Sequence, residues 1–570
     1  MKQILIAAIA SIAALAAQAS EVNLISLAVT NIVETTYSDD NGSVVTNIPS
    51  VVFGTGGFNS YNQWGVCWWD NRKDCAFDGF GWYDNKGTTE AQGHVEFTSE
   101  EAIWTGYQVS AAAVVSRIRF LSTPNPESDG WVRAERTLGC SFQAANSADF
   151  SDAVTLYTVG DGGETKYSLT NGWQEVLVSS AQSFTYLRFY APADKAGGSI
   201  AEVEFYGQTW AEATSGTPSA APQNLTISSV DADTDAVKLT WDAPTEPCCS
   251  AQVIRSTAPG GSTFDVTLET LSATTLTYTD SDAARIPGVT YYYRVAFANE
   301  DNVGPVSEAV SHRHVVQLER TSLSDTSLKN GMSAIFYDWD NSTGALAFDG
   351  NVATFADINA NDGYKENIKI GVDLGAAYVI DSFKIYPRSD SYLYRLNGVV
   401  LGASNDSSDW KNGTAISAAC AISDAAWYAF ETTDKTPYRY VYVMKPNNDD
   451  FYGNVAELAL YGYTLASSQS VLLAPENAAA EWHGTGAVIT WTASPNAAAY
   501  RVERKADGGD WTVVAQRLTE QQYVDRPERP TKVGYIYRVA SVDGNGGLAY
   551  TISITPTGTP AAPGLSIFLR

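Results

Sequence analysis

Histidine is scarce in this chain of 570 residues, with four in all. Basic residues are also few: 36 Lys and Arg stand against 64 Asp and Glu, a formal net charge of −28. That field repels phosphate backbones and anionic membranes, so nucleic acid is not an expected partner. After the first twenty residues no apolar run approaches the ~20 residues of a membrane-spanning helix, and no transmembrane segment is expected in the mature chain. Catalytic motifs are missing too. There is no G-x-S-x-G elbow, no H-E-x-x-H helix and no phosphate-binding Walker loop. His312 and His314 alone lie close together, in "SHRHVV", which reads as a solvated connector. A non-catalytic protein is therefore expected. The six cysteines show no metal-site spacing, although Cys67 and Cys75 are near enough to clip a loop.

What the sequence does hold is strand-forming residues. It has 31 Tyr and 15 Trp, which favour pleated, half-buried surfaces. Its opening, "MKQILIAAIASIAALAAQAS", has one lysine, an apolar stretch and Ala17-Gln18-Ala19. This is the pattern of a cleavable export signal over 1–19. The expected location is outside the cytoplasm: secreted, at the cell surface or in the periplasm.

An internal repeat organises the rest. "AFDG" occurs at 76–79 and again at 347–350, 271 positions apart. Other matches share the offset, which shrinks steadily along the chain. "RIRF" and "SFKI" lie 265 apart, "AEVEFYG" and "AELALYG" 255, "KLTW" and "VITW" 250, and "YYYRVAFA" and "YIYRVASV" 244. One block has been duplicated, and the second copy has lost loop residues. Pro-, Ala- and Ser-rich joints at 213–223 and 464–476 divide each block in two. The expected order is A1 (20–210), B1 (219–312), A2 (315–463) and B2 (472–557), with a tail at 558–570.

The B modules carry "AVKLTWDAP" and "PGVTYYYRVAFANEDNVGPVS" in B1, and "AVITWTAS" and "VGYIYRVASVDGNG" in B2. They resemble fibronectin type III sandwiches. The resemblance implies core tryptophans at Trp241 and Trp491 and tyrosine corners at Tyr291 and Tyr535. They are expected to act as spacers. In A2, "ALAFDGNVATFADI", "IKIGVDLGAAYVIDSFKIYPRSDSYLYRLNG" and "NNDDFYGNVAELALYGY" resemble the discoidin, or coagulation-factor type C, family. That family includes many galactose-binding-like carbohydrate-binding modules. A1 keeps the same frame more loosely. The expected fold class is all-β: two jelly-roll sandwiches alternating with two immunoglobulin-like ones.

The A-module resemblance implies two kinds of site. One is a structural calcium site, with Asp349, Thr354 and Glu457 in A2 and Asp78 and Glu202 in A1, because calcium takes oxygens from a tight loop. On its own, Asp349 reads as a turn-closing side chain, and it is the paired glutamate in both copies that brings calcium in. The other is a glycan site in A2. It would use Arg388 as a guanidinium fork, Asn397 as a nearby amide and Phe451 and Tyr452 as a stacking platform, with Asp338 and Trp339 closing the pocket. Arg388 reads alternatively as the partner of Asp390, and Asn397 as a turn residue. A1 has Thr123, Ala196 and Gly197 where A2 has Arg388, Phe451 and Tyr452. The family's sugar site is therefore expected to be lost there. The implied function is an exported lectin-like protein that binds a glycan or polysaccharide mainly through A2. Alternatives are an adhesin whose A modules contact extracellular proteins, or an accessory subunit of a separately encoded glycoside hydrolase.

Overall fold

The computed structural model describes residues 21–29, 51–53, 58–62, 65–67, 76–77, 94–97, 102–122, 133–165, 167–170, 172–193, 198–231, 233–337, 343–358, 368–446 and 451–561. The leader over 1–19, Asp78, Asp338, Trp339, Cys75 and residues 562–570 lie outside them. Nearly all regular structure is antiparallel strand.

The eight-stranded sheets of the two A modules share one strand order, and A1 adds a sheet of four strands. Each module is built on a strand of 19 residues, Ile103–Leu121 in A1 and Lys369–Pro387 in A2. The first half of Lys369–Pro387 pairs with Pro437–Met444 and Ser333–Tyr337. Its second half pairs with Val455–Tyr463 and Tyr428–Glu431. Ile103–Leu121 repeats this with Phe184–Ala191 and Val51–Phe53, then with Glu202–Thr209 and Gln174–Leu177. One strand thus serves two partner sets, as a jelly roll requires. In A2 the strand bulges around Gly375, whose φ of +75° suits a residue without a Cβ, and changes partners at Val379.

The recurring AFDG now has a physical reason. Ala76, Phe77, Ala347 and Phe348 are all buried in the A-module cores. In A2 the chain then turns at Gly350, φ +76°, where a Cβ would meet the carbonyl oxygens of Ser324 and Asp325 at 2.7 Å. A buried step must run straight into a glycine-only turn.

Each B module is a sheet of three strands facing one of four or five. Trp241 and Trp491 are buried in their cores. Tyr291, Tyr293 and Val295 share one face of Thr290–Asn299 and all point inward. The Tyr291 hydroxyl accepts the N–H of Ile286 at 2.8 Å, closing a tyrosine corner. Sequence reading missed a buried set common to both modules. Asp280 accepts the Tyr293 hydroxyl at 2.7 Å and pairs with Arg255 at 2.9 Å; Asp525 does the same with Tyr537 at 2.7 Å and Arg504 at 2.8 Å.

One expectation needs correction. His312 and His314 are no solvated connector, because both rings clasp the carboxylate of Asp235, at 2.7 and 2.5 Å. The B modules also touch each other. The loop after Ser250–Ser256 of B1 pairs with the strand Leu548–Tyr550 of B2. Gly260 N–H donates to Tyr550 at 2.9 Å, Tyr550 N–H to Gly261 at 3.0 Å and Thr263 N–H to Leu548 at 3.0 Å. Cys140, Cys248, Cys249 and Cys420 are free thiols, so the adjacent pair Cys248 and Cys249 forms no disulfide.

Candidate functional site

At one end of the A2 sandwich, three segments bring polar and aromatic side chains together. The first follows the long strand. Arg388 comes directly after Pro387, and the short 3₁₀ turn Leu393–Leu396 presents Tyr392, Tyr394 and Arg395 around it. The second is the turn before the last strand, where Tyr452 and Gly453 are both left-handed, φ +51° and +65°. The third holds Phe355 and Asp357.

Asn454 is the hub. Fully buried, its Oδ1 accepts from Arg388 Nη1 at 3.0 Å and Arg395 Nη1 at 2.6 Å, while its Nδ2 donates to Asp357 at 2.9 Å. Two guanidinium groups on one amide oxygen fix both in orientation. Arg388 Nε also donates to Asp390 at 2.6 Å, and its guanidinium lies 4.0 Å from the Phe355 ring centre. Arg388 holds the Asp390 carboxylate below its ordinary range through their hydrogen bond. Arg395 is sandwiched between the Tyr392 and Tyr452 rings at 4.3 and 4.1 Å, and its Nε is buried with no acceptor among the described residues. Tyr392 and Tyr394 expose 43% and 47% of their surface at this rim. The cluster therefore offers planar donors, carboxylate acceptors and open ring faces within a few residues of one another.

The sequence-derived residues divide. Arg388 is in the cluster, and it also pairs with Asp390. Tyr452 is there as a wall against Arg395. Phe451 is not: at 2% exposure it packs in the core with Ile358 and Ile370. The left-handed pair that follows reverses the chain, sending Phe451 inward and Tyr452 outward. Asn397 is also absent from the cluster, because its Oδ1 accepts the Ile422 N–H at 2.6 Å and ties two loops together. The residues missed are Asn454, Arg395, Tyr392, Tyr394 and Asp357. A signal for three of them was available in "SYLYRLNG", where two tyrosines precede the arginine of a short turn.

The AFDG loop forms a second polar cluster. Asp349 closes its turn by accepting Asn351 N–H at 2.9 Å and the Thr354 hydroxyl at 2.7 Å. Glu457, fully buried on the last strand, accepts Gly350 N–H at 2.8 Å through Oε1. Its Oε2 lies 2.7 Å from Arg320 Nη1 as an ion pair, without an N–H aligned on it. Burial, reinforced by the Asp349 carboxylate and opposed by Arg320, pushes the Glu457 carboxyl up to about 7. Glu457 thus already faces a fixed cation in Arg320, and among the described residues no group of three or more His, Cys, Asp or Glu side chains is placed to hold a metal ion. In A1, Glu202 is likewise buried at the matching place on Glu202–Thr209.

Residues 346–443 match a protein family described as a NedA-like, galactose-binding domain. No curated protein matches the chain. Among solved structures, the family 62 carbohydrate-binding module of Clostridium thermocellum Xyl5A is 24% identical; the match covers 28% of this chain and 97% of that one, with a TM-score of 0.18. The family 32 module of C. perfringens NanJ, in complex with galactose, is 18% identical over 26% of this chain and 99% of that one, TM-score 0.20. A fibronectin-III-like protein from C. thermocellum is 25% identical over 16% and 97%, TM-score 0.14.

Proposed function

We propose that this is an exported, non-catalytic glycan-binding protein whose A2 module holds the ligand at the Arg388–Arg395–Asn454 cluster. The observation that carries the reading is Arg395. Its guanidinium is clamped by two rings and one amide at a rim where the Tyr392 and Tyr394 rings lie open. The half-exposed carboxylates of Asp357 and Asp390 at that rim accept protons from sugar hydroxyls. Tyr392 and Tyr394 offer ring faces to the C–H side of a pyranose. The match of residues 346–443 to a galactose-binding domain supports this reading. The B modules, read as fibronectin type III domains, brace A2.

Calcium is proposed as a structural ion at Asp349, Thr354 and Glu457, where it would lie between the half-buried carboxylate of Asp349 and the buried one of Glu457 and pin the loop. Affinity electrophoresis of the full chain through glycan-containing gels tests the ligand site. Arg395→Ala and Tyr394→Ala are expected to abolish retardation while leaving the fold intact. Unchanged retardation in both variants would remove the cluster from the binding site.

A further inference from the structure

Arg188 of A1 is buried to 7% exposure on the sheet face turned away from the core, with no carboxylate partner among the described residues. Its strand, Phe184–Ala191, sends Leu187, Phe189 and Ala191 into the core and Tyr186, Arg188 and Tyr190 to the opposite side. Gly106 stands opposite Arg188 on the adjacent strand. A Cβ at Gly106 would come within 2.8 Å of the Arg188 Cβ and 2.3 Å of the Leu187 carbonyl oxygen, so only glycine lets the two strands and this side chain meet.

Three rings surround the guanidinium: Phe150 at 4.1 Å, Tyr190 at 4.6 Å and Trp104 at 5.1 Å. Phe150 reaches it from a left-handed position, φ +56°. The neutral side chain of Gln143, opposite Arg188 on the other neighbouring strand, accepts from Nε at 2.9 Å and Nη2 at 2.6 Å. Among the described residues no acceptor is assigned to Nη1. In a chain with 64 acidic residues, a buried cation served among the described residues by a neutral amide is conspicuous. Burial draws its pKa down to about 10.

The same place in A2 is built differently. Tyr442 takes the register position of Arg188, opposite Gly371 and Gly402, with its hydroxyl accepting the Gly413 N–H at 2.8 Å. Trp410 packs on it at 5.4 Å. A2 has the aromatic wall without the lone guanidinium.

We infer that this face of A1 is an oxyanion site for an acidic saccharide, with Arg188 Nη1 donating to a carboxylate or sulfate and Trp104 and Tyr190 flanking the sugar ring. Charge-assisted bonds to guanidinium are the strong ones, and ring walls raise their strength by excluding water. The chain's overall negative field is screened beyond about 8 Å at physiological salt, so local chemistry decides.

The test is calorimetric titration of the full chain with trigalacturonate, neutral trigalactose and inorganic sulfate at fixed ionic strength. An Arg395→Ala background keeps the A2 cluster from contributing. Trigalacturonate is expected to bind, to be displaced by sulfate and to outcompete trigalactose. Gln143→Glu gives Arg188 an internal carboxylate. It is expected to raise the melting temperature and weaken trigalacturonate at least tenfold, and Arg188→Gln is expected to abolish binding with the circular dichroism spectrum unchanged. Binding of sulfate alone overturns the saccharide assignment. Absence of binding, or wild-type affinity in a folded Gln143→Glu chain, overturns the site.

Discussion

Arg395 and Phe451 make opposite predictions from neighbouring loops. Arg395 touches solvent and a buried amide at once, so Arg395→Ala is expected to weaken glycan binding at least tenfold with little loss of stability. Phe451 is core, and Phe451→Ala should cost about 3–5 kcal/mol by creating a cavity, which thermal unfolding would register before any binding assay. Glu457 adds a pH dependence. Its folded pKa of about 7 lies above the ordinary 4.5, so the folded state binds the extra proton. Without calcium, the stability this group contributes is full below about pH 4.5 and falls as pH rises toward and through 7. Added calcium is therefore expected to raise the melting temperature at pH 8 and to do little at pH 5. An equal calcium shift at both values would mean that Glu457 is not a ligand. At this scale the sequence was readable where residue type dictates position, as in the buried Ala-Phe step before Gly350. It misled at Phe451, because whether an aromatic in a polar loop points in or out depends on the left-handed residues after it. No local pattern marks a Tyr as one of them.

Among elements, the long strands and their partners follow from alternation, and "SFKIYP", "YVYVMKP" and "AELALYG" all form strands. The duplication is visible again in topology, since the eight-stranded sheets of both A modules order their strands identically. What alternation could not show is the buried Asp–Tyr–Arg set of the B sandwiches. Its members come from three strands, and only the paired sheets bring them together. Asp280 and Asp525 are each nearly sealed from solvent. Removing one carboxylate strands an arginine and a tyrosine hydroxyl, so Asp280→Ala or Asp525→Ala is expected to destabilise its module by about 3–5 kcal/mol. Chemical denaturation followed by tryptophan fluorescence measures this, through Trp241 for B1 and Trp491 for B2.

For the whole molecule, the order of modules along the chain does not give their arrangement in space. B1 and B2 are separated in sequence by A2, yet they join edge to edge through Gly260, Gly261 and Tyr550. At the same end of B1, Arg313 donates to the Tyr463 hydroxyl of A2 at 2.6 Å. Between them lies a cleft of about 750 Å³ walled by both B modules and the end of A2. Such a frame fixes the direction in which A2 presents its rim. Gly260 sits so close to B2 that a Cβ would meet the Thr551 carbonyl oxygen at 1.8 Å. Gly260→Val is therefore expected to part the two modules. Hydrogen exchange at the Tyr550 amide should accelerate, and small-angle scattering should show a longer particle. Slow exchange retained in the variant would contradict the pairing.

The central claim is that A2 binds a glycan through Arg388, Arg395 and Asn454. A glycan array probed with the full chain and with Arg395→Ala tests it most directly. The account predicts that the wild-type chain binds a coherent set of terminal sugars and that Arg395→Ala loses them. An array silent toward a folded wild-type chain, or an Arg395→Ala chain that binds the same sugars equally well, would contradict it.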